Sequence, residues 1–400
     1  MSGGERVVFD HVTKRYPGTE PARGGAVEDL SLEIPAGKIC VLVGPSGCGK
    51  TTSLKMVNRL VEPTSGRVLV GDVDVMTRDA IELRRGIGYV IQQVGLFPHQ
   101  TIGDNVATVP RLLGWAKPRL RERADELLTL VGLDPATYRD RYPSQLSGGE
   151  RQRVGVARAL AADPPILLMD EPFGAVDPIV RERLQNELLR LQEGLAKTIV
   201  FVTHDIDEAI KMGDLVAVMQ VGGHLAQFGP PAEILANPAN GFVARFVGAD
   251  RGLKRLSLSR VGELDLATPV IARAGDDVAD VRRRLWQDPM RFAMLVDDAN
   301  RPIGWVSETS LPRDGAVSAD LAVAASPLLD RRTTLKDALS MLLDADVQAG
   351  LVVDRKGALL GLVTADTIAG FMRDAARDAS PHAAASPVAD ASPAADPGTT

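Results

Sequence analysis

The chain has 400 residues, of which 45% are hydrophobic and 24% charged, and its formal net charge is -6. This length and apolar content predict a large buried core divided among two or three domains. Because lysines and arginines are scattered along a net acidic chain, nucleic acid is not an expected partner.

The longest apolar runs of the chain are strand-sized. Ile39–Val43 and Ile166–Met169 are far shorter than the roughly 20 residues that cross a bilayer as a helix. The N-terminus lacks the basic and apolar segments of a secretory signal. Cys40 and Cys48 offer neither a disulfide framework nor a metal-ligand spacing. We therefore expect a protein of a reducing compartment that contacts a membrane only indirectly.

Short β-branched runs alternate with helical patterns from Val7 to about Gly248. The runs that predict buried strands are Ile39–Val43, Gly88–Ile91, Ile166–Met169 and Ile199–Val202. Such alternation is typical of an α/β domain with a largely parallel sheet. Between the second and third runs, Arg119–Val131 and Gly149–Ala162 favour helix, which predicts a helical subdomain at about 95–162 within a first domain of residues 1–250.

An internal repeat follows a basic linker at 251–264. Val278–Leu285 and residues 294–307 match Leu335–Leu342 and residues 351–364 at an offset of 57 residues. Each copy predicts a helix and two strands and cannot bury its apolar face alone. The two copies should therefore pack on each other as an α+β domain at 265–373. The Ala, Pro, Ser and Asp composition of 374–400 predicts a disordered tail.

A glycine-rich turn follows the strand at Ile39–Val43. Residues 44–51 fit the pattern G-x-x-x-x-G-K-[ST], whose backbone N–H groups converge on phosphate oxygens at the start of a helix. We expect Lys50 to reach the β- and γ-phosphates and the Thr51 hydroxyl to bind Mg²⁺. The residues predicted to contact ATP here are Gly44, Pro45, Ser46, Gly47, Cys48, Gly49, Lys50, Thr51 and Thr52.

The apolar run at Ile166 ends in two carboxylates, Asp170 and Glu171. In the presence of the phosphate-binding turn, the first is suited to the Mg²⁺ shell and the second to activating water for in-line attack. Taken alone, such an ending is equally a solvated strand terminus.

Twenty residues upstream of the two carboxylates lies Leu146-Ser-Gly-Gly-Glu-Arg-Gln152. Its small residues opening a helix form an N-terminal anion site, to which Ser147, Gly148 and Gly149 are predicted to contribute. This sequence resembles the signature of the ATP-binding-cassette (ABC) ATPase family, whose fold is a P-loop NTPase with a helical subdomain. A metabolic kinase, which could also carry the phosphate-binding turn, does not need this signature.

The resemblance covers roughly the first 245 residues and implies further roles. Tyr16 resembles the aromatic that stacks on adenine, although the insertion TEPARGG follows it and it is also a strand-end aromatic. Gln92 resembles the glutamine that senses Mg²⁺ and water, Asp177 the dimer-loop aspartate, and His204 the switch histidine. Val176 stands where the family commonly has Leu. The resemblance also implies a head-to-tail homodimer with ATP between the subunits.

Two segments resemble the ATPase subunits of osmoprotectant importers, Ile87–His99 and Asn237–Asp250. Such importers take up glycine betaine, choline, carnitine or proline betaine, and this resemblance implies transmembrane permease subunits, an extracytoplasmic solute-binding protein and a peripheral position on the cytoplasmic face of the membrane. Gly95–His99 is predicted to be the docking loop for the permease.

The repeat resembles the tandem cystathionine-β-synthase (CBS) modules that such ATPases carry. A regulatory pair responding to ionic strength or a cyclic dinucleotide and a purely structural pair both fit. Adenosine-nucleotide sensing is disfavoured because Ser310 and Thr367 stand where an Asp commonly bonds a ribose, while Asp366 is one residue early. An importer of another solute, or a soluble ABC ATPase acting on DNA or ribosomes, remains the alternative.

Overall fold

The computed structural model describes residues 3–16, 26–91, 95–174, 177–345 and 347–378. The chain divides into two compact units, Met1–Lys254 and Arg255–Thr400. The division lies inside the segment that the sequence assigns to a linker. Within the described ranges, no helix combines the length and apolar character needed to span a membrane.

The first unit contains two sheets. Its strands are β1 (Val7–Lys14), β2 (Val27–Ile34), β3 (Ile39–Val43), β4 (Ser65–Val70), β5 (Val73–Asp74), β6 (Ile87–Val90), β7 (Ile166–Asp170), β8 (Thr198–Thr203), β9 (Leu215–Gln220) and β10 (His224–Gly229). The larger sheet has the order β10-β9-β3-β8-β7-β6, and the smaller has the order β2-β1-β4-β5. All pairs of the larger sheet are parallel except β10 with β9.

The predicted strands of the larger sheet are confirmed, with ends that differ by at most one residue from those expected. Every residue of β3, β7 and β8 is buried. Continuous apolar runs of this kind form the inner strands of parallel sheets because helices cover both faces. These strands therefore hold their carboxyl ends, where the functional residues lie, in a fixed arrangement.

The helices of the first unit are α1 (Lys50–Val57), α2 (Ala80–Arg85), α3 (Ile102–Val106), α4 (Thr108–Leu112), α5 (Lys117–Leu130), α6 (Pro135–Tyr138), α7 (Gly148–Leu160), α8 (Pro178–Leu195), α9 (Ile206–Met212), α10 (Pro231–Ala236), α11 (Gly241–Val247) and, across the division, α12 (Arg251–Leu256). Helices α3 to α7 all lie between β6 and β7, where the sequence predicts a helical subdomain. Within the described part of 95–162 there is no strand.

The second unit contains β11 (Val270–Ala272), α13 (Val278–Trp286), β12 (Phe292–Val296), β13 (Pro302–Ser307), β14 (Val323–Ala324), β15 (Leu328–Leu329), α14 (Leu335–Leu343), β16 (Ala349–Val353), β17 (Leu359–Thr364) and α15 (Ala365–Asp378). Each repeat is thus a helix followed by an antiparallel strand pair, as predicted. Helix α15 runs past residue 374, where the sequence predicts the tail to begin, and residues 379–400 lie outside the described part.

The two repeats share a core. Met294 and Trp305 of the first copy pack in one cluster with Leu351 and Leu362 of the second. The prediction that the copies bury their apolar faces against each other is therefore confirmed. Burial of Trp305, which is 2% exposed, makes a large apolar contribution to this contact.

Candidate functional site

The glycine-rich turn connects β3 to α1 at the carboxyl edge of the larger sheet. Gly49 has a φ of 92°, and a Cβ there would lie 2.1 Å from the carbonyl oxygen of Ala26. Gly47 has a φ of 80°, and a Cβ there would meet no atom within 4 Å. Both glycines permit the left-handed backbone, but only Gly49 is also required by close packing.

Lys50 lies inside the turn and is 6% exposed. Its Nζ donates to the carbonyl oxygens of Gly44 at 2.7 Å and Pro45 at 2.9 Å, and it lies 3.6 Å from Sγ of Cys48. An ammonium group removed from water needs such acceptors. The loop carbonyls therefore hold the positive charge within the loop where phosphate is expected.

Thr51, the second residue of α1, lies beside the end of β7. Its Oγ1 donates to Oδ1 of Asp170 at 2.8 Å. Burial raises the pKa of Asp170, and the Thr51 hydrogen bond acts in the opposite direction. Burial, with Asp170 nearby, also raises the pKa of Tyr89 to about 12. The structure thus brings together two oxygen ligands predicted for Mg²⁺, of the hard type that this ion prefers.

Glu171 follows β7 in a left-handed conformation with a φ of 43°. Its N–H donates to the carbonyl oxygen of Val202 in β8 at 3.0 Å. One carboxylate oxygen lies 3.3 Å from Nδ1 of His204, the residue after β8. A non-glycine residue in this region is strained, and such strain is found at sites where surrounding structure imposes a conformation. The predicted pair of catalytic side chains is therefore in direct contact.

Helix α7 begins with a capping box. Ser147 Oγ accepts from the Glu150 N–H at 3.3 Å, while the Glu150 carboxylate accepts from the Ser147 N–H at 2.7 Å. Glu150 also accepts from the Tyr138 hydroxyl at 2.6 Å. This last contact is the largest cause that lowers the pKa of Glu150 to about 2. An ionised Glu150 therefore fixes the first turn of the helix.

Gly148 and Gly149 form that first turn. A Cβ on Gly148 would meet no atom within 4 Å, and one on Gly149 would lie 3.0 Å from Val180 Cγ1. Packing within the chain therefore does not explain why residue 148 is glycine. No described hydrogen bond links Ser147–Gly149 to the glycine-rich turn.

Among the remaining predicted residues, the structure describes Tyr16 and Asp177. Tyr16 is 43% exposed, with Lys14 Nζ 5.1 Å from its ring centroid. Asp177 caps α8, since its Oδ1 accepts from the Val180 N–H at 3.0 Å. Gln92, Val176 and the insertion after Tyr16 lie outside the described residues.

One buried polar pair was not predicted from the sequence. Glu208 of α9 is 8% exposed and accepts from Gln185 Nε2 of α8 at 3.0 Å. Burial raises the pKa of Glu208, against a hydrogen bond from Thr203, which precedes His204. The sequence gives only a weak indication of this pair. Glu208 lies four residues before buried Met212, on the apolar side of a helix.

Comparisons with known proteins agree with this geometry. A family model described as ABC transporter matches residues 27–174, and a CBS domain model matches residues 320–374, which is the second repeat. The chain is 43% identical to the osmoprotectant import ATP-binding protein of Salmonella typhimurium over 92% of this chain and 96% of that protein. It is 42% identical to the glycine betaine/carnitine/choline transport ATP-binding protein of Bacillus subtilis, with the same shares covered.

One similar solved structure contains a bound nucleotide. It is a dimeric post-hydrolysis state of an ATP-binding cassette bound to ADP and Pi. The likeness has a TM-score of 0.51 at 35% identity and covers 56% of this chain and 98% of that one. The shared 56% of the chain is smaller than the first unit.

Proposed function

This chain belongs to the ATP-binding subunits of ABC transporters, and on that premise we propose that it powers an importer of quaternary-amine osmoprotectants such as glycine betaine, choline, carnitine or proline betaine. The observation that carries the substrate class is the likeness to osmoprotectant and betaine import subunits along 92% of the chain. The reaction is hydrolysis of ATP. Uptake of the solute is coupled to it.

ATP lies in this proposal on the turn Gly44–Gly49, with its phosphates against the backbone N–H groups and the start of α1. Lys50 turns from the loop carbonyls toward the β- and γ-phosphates, because a phosphate is a stronger acceptor for an ammonium group. Thr52 extends the contact along α1. The ring of Tyr16, 43% exposed, stacks on the adenine in this proposal.

The adjacent oxygens of Thr51 and Asp170, 2.8 Å apart, fit Mg²⁺, and Gln92 is the third proposed ligand. When bound, the ion neutralises charge on the phosphates. Asp170 serves this role as a carboxylate, and its hydrogen bond from Thr51 favours that form. The same contact orients the Thr51 hydroxyl.

Glu171 is the general base of the proposed reaction. Its carboxylate accepts a proton from the attacking water, and His204, 3.3 Å from it, orients the carboxylate and contacts the γ-phosphate. The left-handed backbone at Glu171 and the Val202 hydrogen bond hold the side chain in place at the edge of the sheet. Positioning of this kind supplies most of the catalysis in phosphoryl transfer.

Two chains complete each site. Ser147, Gly148 and Gly149 present the start of α7 to solvent, and that helix end attracts an anion. In this proposal the start of α7 contacts the γ-phosphate of the ATP that is bound to the glycine-rich turn of a second chain. Asp177 then lies in the loop between the subunits. The dimeric form of the similar cassette with ADP and Pi supports this arrangement.

A groove beside Gly95–His99 suits the permease. It is a cavity of about 290 Å³ whose lining includes Ile91, Phe97 and Val109. The loop is held rigidly, since Asn105 exchanges hydrogen bonds with both backbone groups of Phe97 and Arg158 donates to the Gly95 carbonyl at 2.7 Å. The lining of the groove also includes Arg84, Arg85 and Arg158, and a groove that combines apolar and basic side chains beside a fixed loop is suited to bind a partner. A peripheral position at the cytoplasmic membrane face and a separate extracytoplasmic solute-binding protein follow from the proposed import.

Residues 265–373 regulate the ATPase in this proposal, through ionic strength or a cyclic dinucleotide. The shared core of the repeats supports a unit that moves as one body. Such control requires the signal to favour either an active or an inactive arrangement of the repeats. A ligand that bound both arrangements with equal affinity would not shift the equilibrium between them.

We expect Glu171→Gln to keep ATP binding and to lower turnover by about 100-fold or more, because an amide does not accept the proton from water. The measurement combines binding of a fluorescent ATP analogue with phosphate release. Glu182→Gln, which changes a carboxylate on the exposed side of α8, is the control and should hydrolyse ATP normally. Hydrolysis by Glu171→Gln near the wild-type rate would remove Glu171 from the role of base.

We expect the double change of Leu96 and Phe97 to Ser to reduce assembly with the permease by on the order of tenfold, since apolar side chains at the centre of an interface dominate its stability. Co-purification from membranes measures this. Leu60 and Leu130, which are exposed like Phe97, are changed together to Ser as the control. If the first variant assembles as the wild type does, the permease binds elsewhere.

We expect a chain ending at Lys254, assembled with its permease in lipid vesicles, to hydrolyse ATP without the salt response of the full chain. ATPase activity is measured over a series of salt concentrations, with and without cyclic di-AMP. The full chain should change its activity along at least one of these series. Identical profiles for both chains would leave the repeats with a structural role only.

A further inference from the structure

The second unit has a cavity of about 560 Å³ at one end of its three-stranded sheet. It lies at the carboxyl ends of the parallel strands β15 and β16. The lining residues are Asp330, Arg331, Arg332, Val353, Asp354, Arg355 and Leu360. Two turns far apart in sequence therefore bring three arginines to one cavity.

The two carboxylates of this cavity are engaged by their own turns. Asp330 Oδ1 accepts from the N–H groups of Arg332 and Thr333 at 2.6 and 2.9 Å. Asp354 Oδ1 accepts from the N–H groups of Lys356 and Ala358 at 2.8 and 2.9 Å. These contacts fix both carboxylates within their turns, and the three arginines outnumber the two carboxylates, so that the cavity lining has a formal charge of +1.

The side chains of Arg331, Arg332 and Arg355 make no hydrogen bond or ion pair with any residue that the structure describes. Other arginines of the same unit are paired, as Arg291 is with Glu308 and Arg301 with Asp297. The positive charges of neighbouring guanidinium groups repel each other, and a bound anion offsets this repulsion. Guanidinium groups also match the geometry of phosphate oxygens.

The first repeat shows that the fold does not need these arginines. At the offset of 57 residues, Arg331, Arg332 and Arg355 correspond to Ala274, Gly275 and Asp298. The turn at Asp354 is nevertheless built like its counterpart at Asp297. Asp297 Oδ1 accepts from the N–H groups of Ala299 and Arg301 at 2.9 and 2.8 Å, which are the counterparts of the two Asp354 contacts.

We propose that Arg331, Arg332 and Arg355 form a binding site for a phosphate-bearing anion, either a soluble phosphate compound or the headgroup of an anionic lipid. The site lies at the opposite end of β17 from Thr364, since Leu359 pairs with Val353 and Thr364 with Ala349. It is therefore separate from the end of the last strand, where Thr367 stands. This anion site is distinct from the proposed ATPase site, and the inference does not depend on the proposed ATPase activity.

The test uses the full chain and two triple variants that remove the same amount of charge. One changes Arg331, Arg332 and Arg355 to Ala, and the other changes three exposed arginines of the first repeat to Ala, namely Arg273, Arg283 and Arg313. Calorimetric titration with inorganic pyrophosphate measures binding of a soluble phosphate. Flotation with phosphatidylglycerol vesicles, compared with phosphatidylcholine vesicles, measures binding of a lipid headgroup.

We expect the first variant to bind one of these probes on the order of tenfold more weakly than the wild type, since charge-assisted contacts are lost, and the second variant to bind as the wild type does. Both variants keep the Gly44–Thr51 turn, so phosphate binding there cancels in the comparison. Circular dichroism verifies that both remain folded. Loss of pyrophosphate binding identifies a soluble ligand, and loss of vesicle binding identifies a lipid. Equal binding of both probes by the two variants would overturn the proposal.

Discussion

The hydrogen bond from Thr51 to Asp170 joins two segments that are 119 residues apart in the chain. Their strands, β3 and β7, are not neighbours, because β8 lies between them in the sheet. Parallel order places all three carboxyl ends at one edge, so that β3 delivers the glycine-rich turn, β7 the two carboxylates and β8 the histidine. The proposed nucleotide site depends on this order of strands, and a ligand site at such an edge is common in α/β sheets.

The edge concentrates charged groups that are costly to bury. Lys50 and Asp170 are each 6% exposed. Lys50 donates a hydrogen bond to a loop carbonyl, and Asp170 accepts one from Thr51. Glu208 and Gln185 form a second buried polar pair, between α9 and α8. Removing Thr51 or Gln185 would cost the buried carboxylate beside it one of its hydrogen bonds. These contacts hold Thr51 and Asp170 in place, which reduces the ordering that binding of ATP requires of them.

Much of this arrangement could be predicted from the sequence because its signals are local. The turn at 44–51 follows its strand directly, and the repeat of the second unit is a pattern within one stretch of chain. The contact between Glu208 and Gln185 could not be predicted, since it depends on how α8 and α9 pack. The arginine cavity likewise depends on the pairing of β15 with β16, which no local pattern specifies.

The central claim of this account is that α7 of one chain completes the site of another, and glycine at position 148 tests it. Gly148 and Gly194 are both helical, and a Cβ on either would meet no atom within 4 Å of the same chain. Alanine at either position should leave the free energy of unfolding unchanged or raise it by up to about 1 kcal/mol. In the Glu171→Gln background, sedimentation with ATP should show dimers for Gly194→Ala and monomers for Gly148→Ala, because only the start of α7 approaches a phosphate of the partner. Equal dimerisation of the two variants would contradict the claim.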